Sequence, residues 1–406
     1  MKTILFVNPV GIIGGAERVL LAVMAALQIE NPELRLHLIV GAEGTLVQRA
    51  EELGVNVKVV PLPNSLLQLG DSTLKDDSRI QSTFKLFSRI AASLLDLKQY
   101  LSKYKKAIFD INPDLIHSNG IKTHLLTGLL SLRNIPIVWH IHDFYSYRPL
   151  NAKILKLFSH RANVGIAISK AVALDVQKTF PHLNTQVIYN AIDVNHFAPS
   201  QNSPQLSNPQ NPPIRIGLVA TFARWKGHDL FLQAAAKVIN VLPHPDIKFC
   251  IVGGAIYQTQ GSQFSEEELQ DLAKSLNIAD KVEFLGFQQD IAAVYNQLDI
   301  VVHASTQPEP LGMAIIEAMS CAKPVIVSQA GGAAELFTHD FDAIGFELGN
   351  ANALATAIEY LIENPQQREY LSQNARKTAV SRFSQERLGK QILNLYRGIM
   401  PESATK

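Results

Sequence analysis

Two glutamates eight positions apart, Glu309 and Glu317, lie in the stretch HASTQPEPLGMAIIEAMSCAKPVIVSQAGGAAE, which runs from His303 to Glu335. Glu309 stands between Pro308 and Pro310, which hold it in a loop, and Glu317 lies inside Gly312–Ser320, a run that reads as helix. A helix leaves its first amides without intrahelical partners. The N–H groups of Gly312, Met313 and Ala314 therefore face whatever lies before the helix, and an anion fits there. Glu317 is more than a turn further in, and helical side chains lean toward the N-terminus, so its carboxylate reaches back to the same place. Two acceptors beside free amides suit a ligand carrying hydroxyls and phosphates. A solvated helix face explains an isolated pair at this spacing equally well. Here, however, the prolines, the small residues Gly312, Ala314 and Ala318, and the buried-type strand KPVIVS running on to Gly331 and Gly332 form one unit around the pair.

Other residues suited to phosphate lie elsewhere in the chain. Lys226 sits in ARWKGHD, a loop between a strand and a helix, with Arg224 two residues before it. A fixed cation with oriented amides is what stabilises negative charge best. The loop GIIGGAE (11–17) follows the opening strand TILFVN and precedes a helix. Gly11, Gly14 and Gly15 do not spell the dinucleotide fingerprint, so the loop alone reads equally as a tight turn. His142 and Asp143 end the run IPIVWHIHD. His140 shares a strand face with His142 by period two, which leaves open that one of them is only packed. His117 lies inside another strand and reads as structural.

These motifs resemble the family 4 glycosyltransferases. Glu309 and Glu317 match the family's E-x7-E signature, GGAAE follows it, and Lys226-Gly227 match its phosphate-binding K-G. GGAE, HD, NAIDVNHF (190–197) and KGHD stand in the family's order, so the resemblance covers nearly the whole chain. It implies a GT-B fold: α/β, two Rossmann-like doubly wound domains facing a cleft, with a final helix, Ser384 to Met400, crossing back onto the first. It implies transfer of a sugar from a nucleotide-diphosphate donor, UDP- or GDP-linked, to a saccharide, lipid-linked or small-molecule acceptor. Retention at the anomeric carbon is implied too, by same-face attack in which an oxygen of the leaving phosphate takes the acceptor proton.

Carried onto these residues, the resemblance implies that Lys226 and Gly15, with the amides of Gly312, Met313 and Ala314, bind the donor phosphates. Glu309 takes the donor sugar's hydroxyls and Glu317 the ribose. His142, with Asp143, stands on the acceptor side near the transferred sugar, and the base lies near Gly253-Gly254 and Gly286-Phe287. The family's arginine, five residues before the lysine, is Thr221 here. Arg224 either puts its guanidinium on the same phosphates or faces solvent. A covalent glycosyl-enzyme at Glu309 is the competing mechanism. A nucleotide-sugar hydrolase or epimerase of the same fold is a competing function, and so is a non-catalytic nucleotide-sugar-binding protein, which Thr221 alone supports. No Asp-x-Asp lies near these segments, and Lys226 with helix amides replaces a cation, so neither metal nor cofactor is expected.

The elements that must position these residues alternate strand and helix. Strands are expected at 3–8, 36–40, 55–62, 114–118, 135–141 and 164–169, then at 214–221 and in KFCIVGG, KVEFLGF, DIVVHAS and KPVIVS. Ser265 and Glu268 spell a capping box. Four prolines in QNSPQLSNPQNPP mark a linker. The expected organisation is an N-terminal acceptor-side domain at 1–198, a linker at 199–213, a C-terminal nucleotide-sugar-binding domain at 214–383, and a helical segment at 384–406. With 406 residues, 47% of them hydrophobic, the chain can bury two cores.

A net charge of +1 gives no global preference for nucleic acid, and none is expected as partner. Cys250 and Cys321 are too few for a disulfide framework and read as core residues in a reducing compartment. The opening MKTILFVNP reads as a first strand rather than a signal peptide, and no run reaches the roughly 18 apolar residues of a membrane span. A soluble, cytoplasmic protein is expected, able to sit on the inner face of the cell membrane. Two basic segments could meet anionic lipid. Residues 79–106 carry seven Lys/Arg against one Asp, with Phe84, Phe87, Ile90, Leu94, Leu97, Leu101 and Tyr104 at near-helical spacing. A core helix with a solvated basic face explains this as well. The second segment, 148–161, sets Lys153, Lys156 and Arg161 among Ile154, Leu155, Leu157 and Phe158.

Overall fold

The computed structural model describes residues 2–63, 83–130, 132, 135–200, 213–242, 246–255 and 261–400. The chain divides into two compact units, Met1–Ile188 with Leu388–Lys406, and Tyr189–Arg387. In the first, strands β1 (Thr3–Asn8), β2 (Arg35–Val40), β3 (Asn56–Val59), β4 (Leu115–Asn119), β5 (Ile137–Ile141), β6 (Val164–Ala167) and β7 (Thr185–Val187) form a sheet in the order β3-β2-β1-β4-β5-β6-β7. Every pairing is parallel. β1, β4 and β5 are buried along their whole length, which is why they read as unbroken apolar runs rather than alternating ones.

The second unit repeats the plan. Its strands are β8 (Ile214–Val219), β9 (Ile247–Val252), β10 (Val282–Gly286), β11 (Ile300–His303), β12 (Val325–Ser328) and β13 (Ile344–Phe346), all parallel, in the order β10-β9-β8-β11-β12-β13. In each unit the winding reverses once, between β1 and β4 and between β8 and β11. At such a reversal the loops leaving the carboxyl ends of two neighbouring strands turn to opposite faces and open a crevice.

The division falls at Ile188/Tyr189, ahead of the expected linker, of which 201–212 lie outside the described residues. Residues 189–200 belong to the second unit for a local reason. Ile192 N–H donates to Phe383 O at 2.9 Å, and Arg376 Nη1 lies 2.8–2.9 Å from the carbonyls of Val194, Phe197 and Ser320. The NAIDVNHF motif is thus pinned as a strap under the helix Met313–Ser320.

The last helix, Gln385–Ile399, returns to the first unit and buries Leu388, Ile392, Leu393 and Tyr396. Its close seating depends on Gly389, where a Cβ would lie 2.5 Å from Ala26 O in the helix Gly15–Glu30. Gly389→Val therefore forces the helices apart, at about 1–3 kcal/mol. A lower thermal midpoint is expected, and an unchanged one would mean that the helix is loosely held.

Candidate active site

At the reversal in the second unit, the loops after β8 and β11 bring Lys226 and Glu309 together. The loop after β8 ends in a single turn, Arg224–Lys226, followed by Gly227 in the left-handed region (φ 76°, ψ 33°). No side chain fits at Gly227, because a Cβ would lie 1.9 Å from Ala304 O. That close crossing, with Thr306 N–H donating to Trp225 O at 2.8 Å, carries Lys226 across to the neighbouring loop.

Lys226 Nζ donates to Glu309 Oε1 at 2.5 Å, while His303 Nε2 and Ser305 Oγ donate to Oε2 at 2.6 and 2.8 Å. Glu309 is only 8% exposed. Burial pushes its carboxyl up, but the Lys226 ammonium and His303 together outweigh that and hold it well below the usual carboxylate range. Its backbone is gripped as well, since Gly332 N–H donates to Glu309 O at 2.7 Å beyond the end of β12. Glu309 is therefore a fixed anion, unsuited to accepting a proton near neutral pH.

The other expected donor groups share this carboxyl edge. Gly253 N–H donates to Gly286 O at 2.9 Å, which joins the ends of β9 and β10, and Phe222 N–H donates to Gly254 O at 3.0 Å, which ties that corner to the Lys226 loop. Phe287, next to Gly286, is 65% exposed. Gly312 precedes the helix Met313–Ser320, and Ile315 N–H turns back to Gly312 O at 3.1 Å, so the amides of Met313 and Ala314 open the helix mouth. Glu317 is buried in that helix and accepts from Tyr295 Oη at 3.1 Å. Arg224 is engaged elsewhere: its guanidinium donates to Glu268 at 2.8 Å and lies 4.3 Å from the Phe264 ring centre. The capping-box carboxylate that orders the helix Glu266–Ser275 thus also draws in the arginine.

At the reversal in the first unit the strands end in amides, with the Glu17 carboxylate beside them. Asn8 ends β1, Asn119 ends β4, and Asn119 Nδ2 donates to Asn8 Oδ1 at 2.8 Å. His142, just past β5, holds Asn119 Oδ1 through Nε2 at 2.7 Å. The orientation of these amides follows from their partners. Asn8 Nδ2 faces Val10 O and Glu17 Oε1, and Asn119 Nδ2 also faces Ala16 O, all of them acceptors. Asn119 Oδ1 must then accept, so neutral His142 carries its proton on Nε2 and leaves Nδ1 with the lone pair. Glu17 Oε2 accepts from Gly14 N–H at 3.0 Å, which fixes the glycine loop in the same chain of contacts. Nothing occupies the space a Cβ of Gly15 would take. Asp143 is half exposed and faces Arg148 at 3.7 Å.

Behind His142 lies a buried cluster of rings. His140 packs on it at 4.2 Å between ring centres, His140 Nδ1 meets His117 Nε2 at 3.0 Å, and His117 Nδ1 meets Tyr396 Oη at 2.6 Å. Burial pushes His142 down to about 4, His117 to about 3, and His140 well below its ordinary value. Asn8, Asn119, Glu17, His303, Ser305 and Tyr396 had not been singled out in the sequence. Asparagines closing two strands that prove to be neighbours were the available signal.

Two parallel doubly wound units, each reversing once, are the GT-B fold. Residues 44–196 match the family model "Glycosyltransferase Family 4" and residues 200–378 match "Glycosyl transferases group 1". The chain belongs to this family of glycosyltransferases, which act on nucleotide sugars. It is 26% identical over 319 residues to D-inositol 3-phosphate glycosyltransferase of Corynebacterium urealyticum, covering 71% of this chain and 73% of that one. It is 24% identical over 323 residues to the Escherichia coli O-antigen biosynthesis glycosyltransferase WclY, covering 76% and 83%. Among solved structures it is similar to Anabaena Alr3699/HepE in complex with UDP, with TM-score 0.79 and 26% identity over 98% of this chain and 100% of that one.

Two outcomes follow from the histidines. Asn119→Asp places a carboxylate against the His142 Nε2–H, and imidazole NMR should show the His142 pKa rising; an unmoved pKa would break the assigned contact. Because His117 and His140 stay neutral in the fold to pH values far below 6.5, the unfolded chain binds protons that the fold refuses. Stability is complete above pH ~6.5 and falls below it by about 1.4 kcal/mol per ring per pH unit, until each folded pKa is reached. Denaturant midpoints at pH 7.5 and 5 check this.

Proposed function

We propose that the protein is a retaining, metal-independent transferase that moves a hexosyl group from a UDP-sugar to a saccharide or lipid-linked acceptor at the inner face of the cell membrane. The observation that carries the reading is the Lys226–Glu309 pair at the β8/β11 reversal. In this reading a diphosphate entering at the mouth of helix Met313–Ser320 takes Lys226 from Glu309, and the ammonium with the helix amides stabilises charge on the leaving group. Glu309 Oε1, released by the lysine, accepts from hydroxyls of the donor sugar. Glu317 serves the ribose, and the Gly253/Gly286 corner with Phe287 serves the base.

His142 and the Gly14-Gly15 loop belong to the transferred sugar and the phosphates, with Asp143 on the acceptor side. The bond from the anomeric carbon to the phosphate oxygen breaks, the bond to the acceptor oxygen forms on the same face, and the acceptor proton passes to the departing phosphate. The setting of Glu309 supports this route over a covalent one, since with Lys226 on the diphosphate Oε1 is taken up by the donor hydroxyls while His303 and Ser305 still hold Oε2, which leaves neither oxygen free to attack. Uridine is preferred to guanosine as the base because the similar Anabaena protein was crystallised with UDP.

Lys226→Met alone would strand Glu309 as a buried charge, so the double variant K226M/E309Q is the fair test. It should keep the wild-type melting profile while kcat/KM for UDP-sugar turnover falls by roughly 10²–10³. Undiminished turnover would overturn the assignment. UDP at a hundred times its Kd should stabilise the wild type by about 2.7 kcal/mol and leave the double variant nearly unmoved.

A further inference from the structure

We propose that the turn and helix following His142 form a docking face for an anionic phospholipid bilayer. The helix Pro149–Lys156 buries Ala152 and Leu155 on one side. On the other side Leu150, Ile154 and Leu157 stand at i, i+4 and i+7, a single stripe, with Leu150 67% and Leu157 68% exposed. Tyr147, one turn before the stripe, is 60% exposed. Aliphatic side chains set out singly are common on surfaces, but a continuous stripe of this kind on one helix face is not.

The charge around the stripe selects the occupant. From 144 to 174 the chain has Arg148, Lys153, Lys156, Arg161 and Lys170 and no Asp or Glu. Arg148 already faces Asp143. Lys153 and Lys156 are exposed along the flank of the stripe. A second copy of this face would repel it. An apolar stripe flanked by lysines instead matches acyl chains beneath anionic headgroups.

The face is held stiffly, as a docking surface must be. The Asp175 carboxylate accepts from Tyr145 N–H at 2.6 Å and Ser146 N–H at 3.3 Å on the near side. On the far side Arg161 Nη1 donates to Leu130 O at 2.9 Å and Ser159 Oγ to Lys156 O at 3.1 Å.

The other basic segment is a weaker candidate. Within the helix Thr83–Ile111 the described apolar residues Tyr100, Tyr104, Ala107 and Ile108 are buried in the core, and Lys98, Lys103, Lys105 and Lys106 form its solvated face. The side chains of Phe84, Phe87, Ile90 and Leu94 lie outside the described residues. No helix among the described residues is long and apolar enough to cross a membrane.

This face would supply the membrane placement named in the proposed function, and its binding to lipid is tested independently of sugar transfer. The full chain, without donor, is sedimented with vesicles of phosphatidylcholine alone and with half phosphatidylglycerol. The wild type should bind only the anionic vesicles. L150S/L157S and K153E/K156E should each weaken partitioning by roughly tenfold or more, with melting temperature and turnover of a soluble acceptor unchanged. Absence of wild-type binding overturns the proposal, as do variants that partition like wild type. A wild-type dimer that L150S/L157S dissolves would give the stripe to a second copy and also overturn it. Loss of turnover in K226M/E309Q bears on the transferase reading alone.

Discussion

A buried ion pair is a poor way to stabilise a fold, because removing two charges from water consumes most of what their attraction returns. Lys226 and Glu309 nevertheless meet with side chains only 19% and 10% exposed, and much of the second unit's carboxyl edge exists to make this tolerable. Gly227 lets two backbones cross near contact, Gly332 fixes the backbone of Glu309, and His303 with Ser305 completes the hydrogen bonding of the remaining oxygen. A pair held so firmly keeps each charge ready for a ligand that offers the opposite one. A phosphate can replace the carboxylate at the lysine, and a hydroxyl can replace the lysine at the carboxylate, with little rearrangement.

The first unit closes its reversal with amides, and the carboxylate there, Glu17, is met by the neutral donors of Asn8 and Gly14. Its reversal is closed by two asparagines, and their amides pass an orientation from the Val10 carbonyl and the Glu17 carboxylate to a proton on His142. Burial keeps the three contacting rings neutral, so His142 is available as a hydrogen-bonding group rather than as a cation. The far end of this chain is Tyr396, on the helix that ends the described sequence. That helix is therefore part of the apparatus setting one side chain near the strand ends, as well as a cover for the core.

The Lys226 loop and the Glu309–Glu317 segment were legible because close backbone approach leaves glycine, proline and small residues at fixed spacings. The central strands were legible because double-sided burial writes them as apolar runs. β7 and β13, each three residues long, were too short for any pattern, and both lie at a sheet edge. Register decided what was missed. Asn8 and Asn119 are 111 positions apart and meet only because β1 pairs with β4. Arg224 was left open for the converse reason: proximity to Lys226 in sequence says nothing of Glu268, 44 positions on, which it meets in the structure. The unit boundary also went unseen, since the proline-rich stretch is conspicuous in composition whereas the crossing at Ile188/Tyr189 is set by contacts of Arg376 and Phe383.

In the proposed reading the strand-end groups handle the sugar nucleotide and do not choose an acceptor. What distinguishes this chain must lie where it departs from the sheet. Between His142 and Pro149 there is only a short turn, clamped at Tyr145 and Ser146 by Asp175. The seven residue steps from His142 to Pro149 span at most roughly 25 Å when fully extended, and this turn is not extended. A surface engaged by the helix Pro149–Lys156 is therefore placed at a set distance from the His142 ring by the fold itself. If that surface is a bilayer, an acceptor carried on lipid arrives in register with the histidine without a dedicated binding loop, and a freely diffusing sugar gains no such advantage.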